Sequence, residues 1–278
     1  MRQRPLFRDY RPQLPKSRDD GTCTFHPAER DSTHTWRRFR SDVDLHDSGR
    51  FLYRGQALWE WNLVPSLFRG TSGYFGKSLQ KRALELFNRE TLERFVSAFG
   101  SVSGEKVVEE RSSPFHKASI AQHFEVPTPL LDWSSSPLIA AFMAYWYAGN
   151  RTGTEEVRLF RIDLACLPDG IKALRFPRHS NNRRAYVQQG QFTCLIKPKA
   201  SPEFDAGYLD DGRYADADPF LSVLDLEFSP DLRRQALADL RAMNLSIEHL
   251  FPDSLDKFAS ELRENLLTKI LGTKGRVP

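Results

Sequence analysis

The stretch Ala121–Ala144, AQHFEVPTPLLDWSSSPLIAAFMA, decides how the rest of the chain is read. It sets a Gln-His pair, a proline-bounded turn and an Asp-Trp pair directly ahead of a run that is almost wholly apolar. A helix that only has to pack needs no such density of polar and turn-forming residues before it. The pattern therefore predicts a site held by a rigid scaffold. Ser134, Ser135 and Ser136 are the cap candidates for the apolar helix, with Pro137 at its first position. That leaves Asp132 free for another task, such as orienting His123. His123 reads as a general acid/base or ligand donor, or as a satisfied structural histidine. Trp133 reads as core, with an indole N–H that needs a partner.

Working outward, Leu138–Trp146 predicts a buried helix. Leu79–Phe99 carries apolar residues at helical spacing and predicts an amphipathic helix. Trp36–Val43 predicts a short helix, Gly49–Gly55 a strand entering a turn, and residues 59–70 a second extended stretch ending in a turn. Val157–Asp163 and Gln191–Lys197 predict strands, the latter with Phe192, Cys194 and Ile196 on one face. Leu224, Leu226 and Phe228 mark another strand. Helices are expected over Asp231–Met243 and Asp253–Leu271. Asp210-Asp211-Gly212 reads as a turn rather than a calcium loop, because no ligand series follows it. One α+β domain accounts for this order: a mixed or antiparallel sheet core with flanking helices. Residues 1–34 read as a basic Pro/Arg-rich arm, extended or loosely docked, ahead of a domain over 35–278.

Charge separates the arm from the body. Residues 1–40 hold ten Lys/Arg and five Asp/Glu, a balance of +5, so the remainder carries −1 of the net +4. A basic leader suits nucleic acid or an acidic partner, or is a solvated arm. The body has no basic stripe with interleaved aromatics. No run approaches the roughly 18 apolar residues of a membrane span, and the N-terminus has no apolar segment of a secretory signal. The cysteines Cys23, Cys166 and Cys194 lie far apart without metal-ligand spacing, which predicts a reducing, cytoplasmic setting and no metal. Walker, GxGxxG, HExxH and GxSxG patterns are absent.

Two further constellations stand out. Tyr53-Arg54-Gly55-Gln56, with Ser66 and Arg69 following, sets an arginine at a strand end before a glycine. Such a guanidinium forks the oxygens of an anionic ligand while the glycine admits it to the backbone, or it pairs with a structural carboxylate. Arg184, Gln188 and Gly190 precede the strand that begins near Phe192. Gln188 holds a ligand hydroxyl or a water, or closes its own turn; it is no proton-accepting base.

Taken together, YRGQ at Tyr53–Gln56, LVPSLFR at Leu63–Arg69, the Gln122–Pro137 block, the Arg184, Gln188, Gly190, Phe192 block and IEHLFPDSL at Ile247–Leu255 resemble the FRG domain family, from Trp36 to about Leu267. Two positions depart: Glu125 stands where the family has Gly, and Pro129 where it has Arg. The block order is in turn similar to ADP-ribosyltransferases. The FRG resemblance implies a toxin or anti-phage effector and, for a toxin, a neutralising partner protein; the transferase similarity implies an enzyme that uses NAD, as an ADP-ribosyltransferase with a macromolecular acceptor or as an NAD glycohydrolase. It assigns catalytic roles to Arg54, His123, Asp132 and Gln188. Tyr53, Gly55, Gln56, Ser66, Arg69, Gln122, Thr128, Arg184, Gly190 and Phe192 would bind NAD. The alternatives are a nucleic-acid-binding or cleaving effector recruited through residues 1–40, and a nucleotide-sensing module without turnover.

Overall fold

A computed structural model describes residues 6–10, 16–18, 22–24, 33–43, 49–70, 74–103, 113–149, 155–175, 183–197, 203–210, 212–214, 217 and 219–252. The strands in chain order are β1 (Arg8–Asp9), β2 (Lys16–Ser17), β3 (Thr22–Thr24), β4 (Thr33–His34), β5 (Phe51–Gln56), β6 (Tyr74–Phe75), β7 (Leu131–Ser134), β8 (Glu156–Asp163), β9 (Ile171–Arg175), β10 (Gly190–Lys197), β11 (Glu203–Phe204) and β12 (Leu221–Glu227). The helices are α1 (Trp36–Asp42), α2 (Lys77–Leu86), α3 (Leu92–Ser103), α4 (Pro114–His123), α5 (Pro137–Ala148), α6 (Arg183–Val187), α7 (Pro230–Ala242) and α8 (Ile247–Leu250). The fold is α+β. The main sheet runs β1-β12-β8-β5-β7-β10-β11, with β4 joined to β12 and β9 to β10. Its pairs are antiparallel except β4 with β12.

The period-two pattern of the central strands feeds two cores. Val157, Leu159, Leu224 and Leu226 face one hydrophobic cluster together with α5. Phe160, Ile162, Leu221 and Val223 face another on the opposite side of the sheet. A third cluster, built from Phe68, Leu84, Phe87, Phe115 and Phe192 among others, packs beneath α4 and β10. The helix α5 is buried almost all round, as its composition requires, and Ser136 is its N-cap, accepting from the Ile139 N–H at 3.4 Å. Arg158 and Asp225 sit opposite each other in register on β8 and β12 and form a bidentate buried pair at 2.6 and 2.8 Å.

The structure differs from expectation at several elements. The helix expected over Leu79–Phe99 is α2 and α3 joined through a π-helical turn at Phe87–Thr91. Residues 59–70 form no strand beyond an isolated bridge at Arg69, and the turn expected near their end is a 3-10 turn at Ser66–Phe68. Within residues 1–34 the described pieces are docked: β1 and β4 both lie on β12, and Phe7 and Tyr10 are buried. The apolar side chains at 7 and 10 find places in the two cores, which a solvated arm would have left in water. Asp210 lies in a turn, as expected. It is fully buried and accepts from the Asn62 side chain at 3.1 Å and the Leu63 N–H at 2.9 Å. The helix expected over Asp253–Leu271 lies outside the described residues. No helix among the described residues is long and apolar enough to cross a membrane.

Candidate functional site

The cavity begins where two strands part. β5 pairs with β8 along its whole length, from Phe51 to Gln56. β7 pairs with β10 from Leu131 to Ser134. Between β5 and β7 there is a single bridging pair, Tyr53 with Ser134. Beyond it the strands diverge, so backbone groups that would otherwise bond each other need new partners. Arg54 supplies one: its Nη1 donates to the Asp132 carbonyl oxygen at 2.7 Å. The opening between the strands is a cavity of about 760 Å³, within the size range of small-molecule sites.

Gly55 has a structural reason that the sequence reading assigned to a ligand. A Cβ placed there would lie 1.8 Å from the Ala140 carbonyl oxygen and 2.8 Å from the Ala144 nitrogen. The glycine therefore admits the backbone of α5 rather than a ligand, and this close approach seats the helix against the end of β5. The i, i+4, i+8 series Ile139, Met143 and Tyr147 on α5 then lines the cavity.

A hydrogen-bond chain builds the opposite wall. The Thr128 N–H donates to Ser66 Oγ at 3.1 Å, and Thr128 Oγ1 donates to Gln122 Oε1. Gln122 Nε2 donates to Asp132 Oδ2 at 2.9 Å, and Asp132 Oδ2 lies 3.9 Å from Arg54 Nη1. Thr128 is fully buried and does not reach the cavity; it is the strut that ties Ser66 to Gln122. Arg69 reaches the cavity too, with Nε and Nη2 both on the Val64 carbonyl at 2.9 and 2.7 Å. At the far end, Gln188 Nε2 donates to the Leu250 carbonyl at 2.8 Å, and the Arg184 guanidinium lies 4.8 Å from the Phe251 ring centre.

The electrostatics follow from this placement. Burial pushes the Arg54 guanidinium down to about 10, with the Asp132 charge opposing the shift, so it is a cation at neutral pH. Its Nε is buried without a partner, as is Gln56 Oε1 two residues along the same strand. Burial also lowers Arg69 and raises the Tyr147 hydroxyl; on the latter Arg184, Asp132, Arg54 and Glu125 all act. Asp132 keeps 60% of its side chain exposed despite its two partners. The charged lining is thus three guanidiniums, Arg54, Arg69 and Arg184, and two carboxylates, Asp132 and Glu125.

Glu125 has an unusual backbone. It adopts φ +62° and closes α4 in a Schellman pattern: its N–H bonds the Gln122 carbonyl at 3.0 Å and the Val126 N–H bonds the Ala121 carbonyl at 3.1 Å. This is a glycine position, and a side chain there costs about 1–2 kcal/mol.

Of the sequence candidates, Arg54, Asp132 and Gln188 meet at this cavity, with Tyr53, Gly55, Gln56, Ser66, Arg69, Gln122 and Arg184. His123 does not line it: it ends α4 with its ring edge-on to Phe124, 5.3 Å between centres. An α-helical turn that delivers Gln122 to the cavity carries the next residue about 100° round the axis, away from it. Phe192 packs into the third core and Gly190 pairs with Ser134 in the sheet, and neither lines the cavity. Aromatic walls were missed: Trp61, Tyr74, Tyr147 and Phe251. Only the Ile139, Met143, Tyr147 spacing carried a signal for them. Among the described residues no group of three or more His, Cys, Asp or Glu is placed to hold a metal ion.

Residues 49–151 match the family model of the FRG domain. The match takes in the Tyr53–Gln56 end of β5, Leu63–Arg69 and the Gln122–Pro137 block, and stops short of Arg184–Phe192 and Ile247–Leu255. No curated protein and no solved structure matches the chain.

Proposed function

From the premise that this chain carries an FRG domain over residues 49–151, we propose that its cavity takes NAD as substrate in an ADP-ribosyltransferase-type reaction. One observation carries the reading. Three arginines and six aromatic residues line one cavity of about 760 Å³. Guanidiniums suit a pyrophosphate, and aromatic walls suit the two planar rings of a dinucleotide.

In the proposed step the bond between the nicotinamide nitrogen and the ribose anomeric carbon breaks, and its electron pair leaves with neutral nicotinamide. An acceptor or water then forms a bond to that carbon and gives up its proton. The transition state is cationic at the sugar, so a fixed negative charge nearby stabilises it. Asp132, oriented by Gln122 and held near Arg54, is the residue suited to that role. Arg54 and Arg69 grip the phosphates. Gln188, whose amide nitrogen is committed to Leu250, offers its remaining oxygen to a ribose hydroxyl.

The test is nicotinamide release from NAD by purified protein, alone and with cell lysate as acceptor. Release by wild type, reduced at least tenfold in Asp132→Asn and Arg54→Ala, supports the reading; no release under either condition refutes it. The effector role, a cytoplasmic toxin or defence protein with a neutralising partner, rests on family resemblance. It is tested by growth arrest on expression and its relief by Arg54→Ala. A second reading, nucleotide sensing without turnover, is favoured by Gln188, an amide tied to Leu250 that can hold a ribose hydroxyl but accepts no proton. Tight NAD binding with no release would select it.

A further inference from the structure

We infer that Glu125 holds the cationic ring of the oxidised dinucleotide and so sets a preference of this cavity for NAD⁺ over nucleotides that carry only negative charge; the inference rests on the NAD reading above. Three independent features of Glu125 lead to it.

First, its backbone is in the left-handed region at φ +62°, closing α4 at a position that glycine would occupy without strain. Strained residues at a cavity are retained for what their side chains do. Second, Glu125 lines the cavity, and its carboxylate makes no hydrogen bond or ion pair among the described residues. The other carboxylate there, Asp132, is already engaged by Gln122 and Arg54. Third, the charge of the lining matches the ligand in kind. Three guanidiniums face two carboxylates, while NAD⁺ carries two phosphate anions and one pyridinium cation. NADH and ADP-ribose carry the phosphates without the cation. An all-anionic ligand would leave Glu125 facing negative charge at the cavity wall.

Tyr147 supplies the surface for the ring. It lines the same cavity, and Glu125 lies near enough to act on its hydroxyl. A cationic ring against a tyrosine face beside a carboxylate gains from both.

The experiment is calorimetric titration of wild type, Glu125→Gln and Glu125→Gly with NAD⁺ in the form of a non-hydrolysable analogue that keeps the pyridinium charge, and with NADH and ADP-ribose, at fixed, low ionic strength. Glu125 is exposed and packs no core, so both variants fold; thermal melts check this, with Glu125→Gly expected to melt above wild type. Wild type is expected to favour NAD⁺ over NADH about threefold to fivefold, the scale of one partly solvated ion pair. In both variants NAD⁺ is expected to weaken and NADH and ADP-ribose to tighten, opposite in sign. A uniform shift of all three ligands, or none, overturns the inference while leaving the NAD reading standing. Failure of wild type to bind any of the three refutes the NAD reading and this inference with it.

Discussion

Replacing Gly55 by alanine tests how the cavity is built. The added Cβ would meet the Ala140 carbonyl oxygen at 1.8 Å and the Ala140 carbonyl carbon and Ala144 nitrogen at 2.8 Å each. An ordinary carbon contact is about 3.5 Å, so α5 would have to withdraw by roughly 1.5 Å. The obstacle is helix backbone, which cannot rotate aside as a side-chain tip can. Inserting a methyl group into a packed interior costs about 1–3 kcal/mol. A backbone clash belongs at or above the top of that range. At about 2–4 °C per kcal/mol for a chain of this size, the melting temperature should fall by roughly 6–12 °C. Gly49→Ala is the control: Gly49 has φ +83° and open space around its α-carbon, so alanine there meets backbone strain alone, about 1 kcal/mol. Urea unfolding of both variants reads the difference directly. Gly55→Ala within about 1 kcal/mol of wild type, or no worse than Gly49→Ala, would refute the close seating of α5 on β5. Because Met143 and Tyr147 ride on α5, the same variant should also bind NAD more weakly at temperatures where it stays folded.

Three other outcomes are expected. Asp225→Ala strands the buried Arg158 guanidinium, 1% exposed, and should cost about 3–5 kcal/mol by urea unfolding. Burial pushes the Cys194 thiol up to about 12, so in the native state a thiol reagent should label Cys166 well before Cys194, with Cys194 reacting on unfolding. Arg54 has a folded value of about 10, below its ordinary 12.5. Phosphate-ligand affinity should therefore fall as pH rises through about 10. Deprotonation there relieves a buried charge, so this group makes the fold no less stable over that window; titrations at pH 8, 9 and 10.5 check the affinity.

The elements with long periodic patterns were legible in the sequence. β8, β10, α5 and α7 all fall within a residue or two of their expected bounds, and β12 was found from its Leu224 and Leu226 but begins three residues earlier, at Leu221. β7 was not: LDWS is short, sits inside a polar block, and is a strand only because β10 lies beside it. Losing β7 hid the split from β5, and with it the reason the cavity exists. Residues 59–70 read as an extended stretch ending in a turn; the turn is there, at Ser66–Phe68, and Arg69 after it clamps the Val64 carbonyl, but the residues before it form no strand. Of the site, Arg54, Asp132 and Gln188 were legible as polar residues beside turn signals, although Arg54 and Asp132 prove to lie within β5 and β7. Thr128 and His123 looked equally chemical on paper, and only their burial and their place on the helix separate them from the cavity. Glu125 stood out as a departure from glycine, but its left-handed backbone belongs to the helix end and needs coordinates to be seen.

The central claim is that the opening between β5 and β7, floored by Arg54, is a dinucleotide site. A crystal structure of the protein with NAD or a non-hydrolysable analogue tests it most directly. The account expects the pyrophosphate within hydrogen-bonding distance of Arg54 or Arg69, with the nicotinamide ring near Glu125 and Tyr147. A dinucleotide bound elsewhere on the molecule, with this cavity empty at saturating ligand, would contradict it.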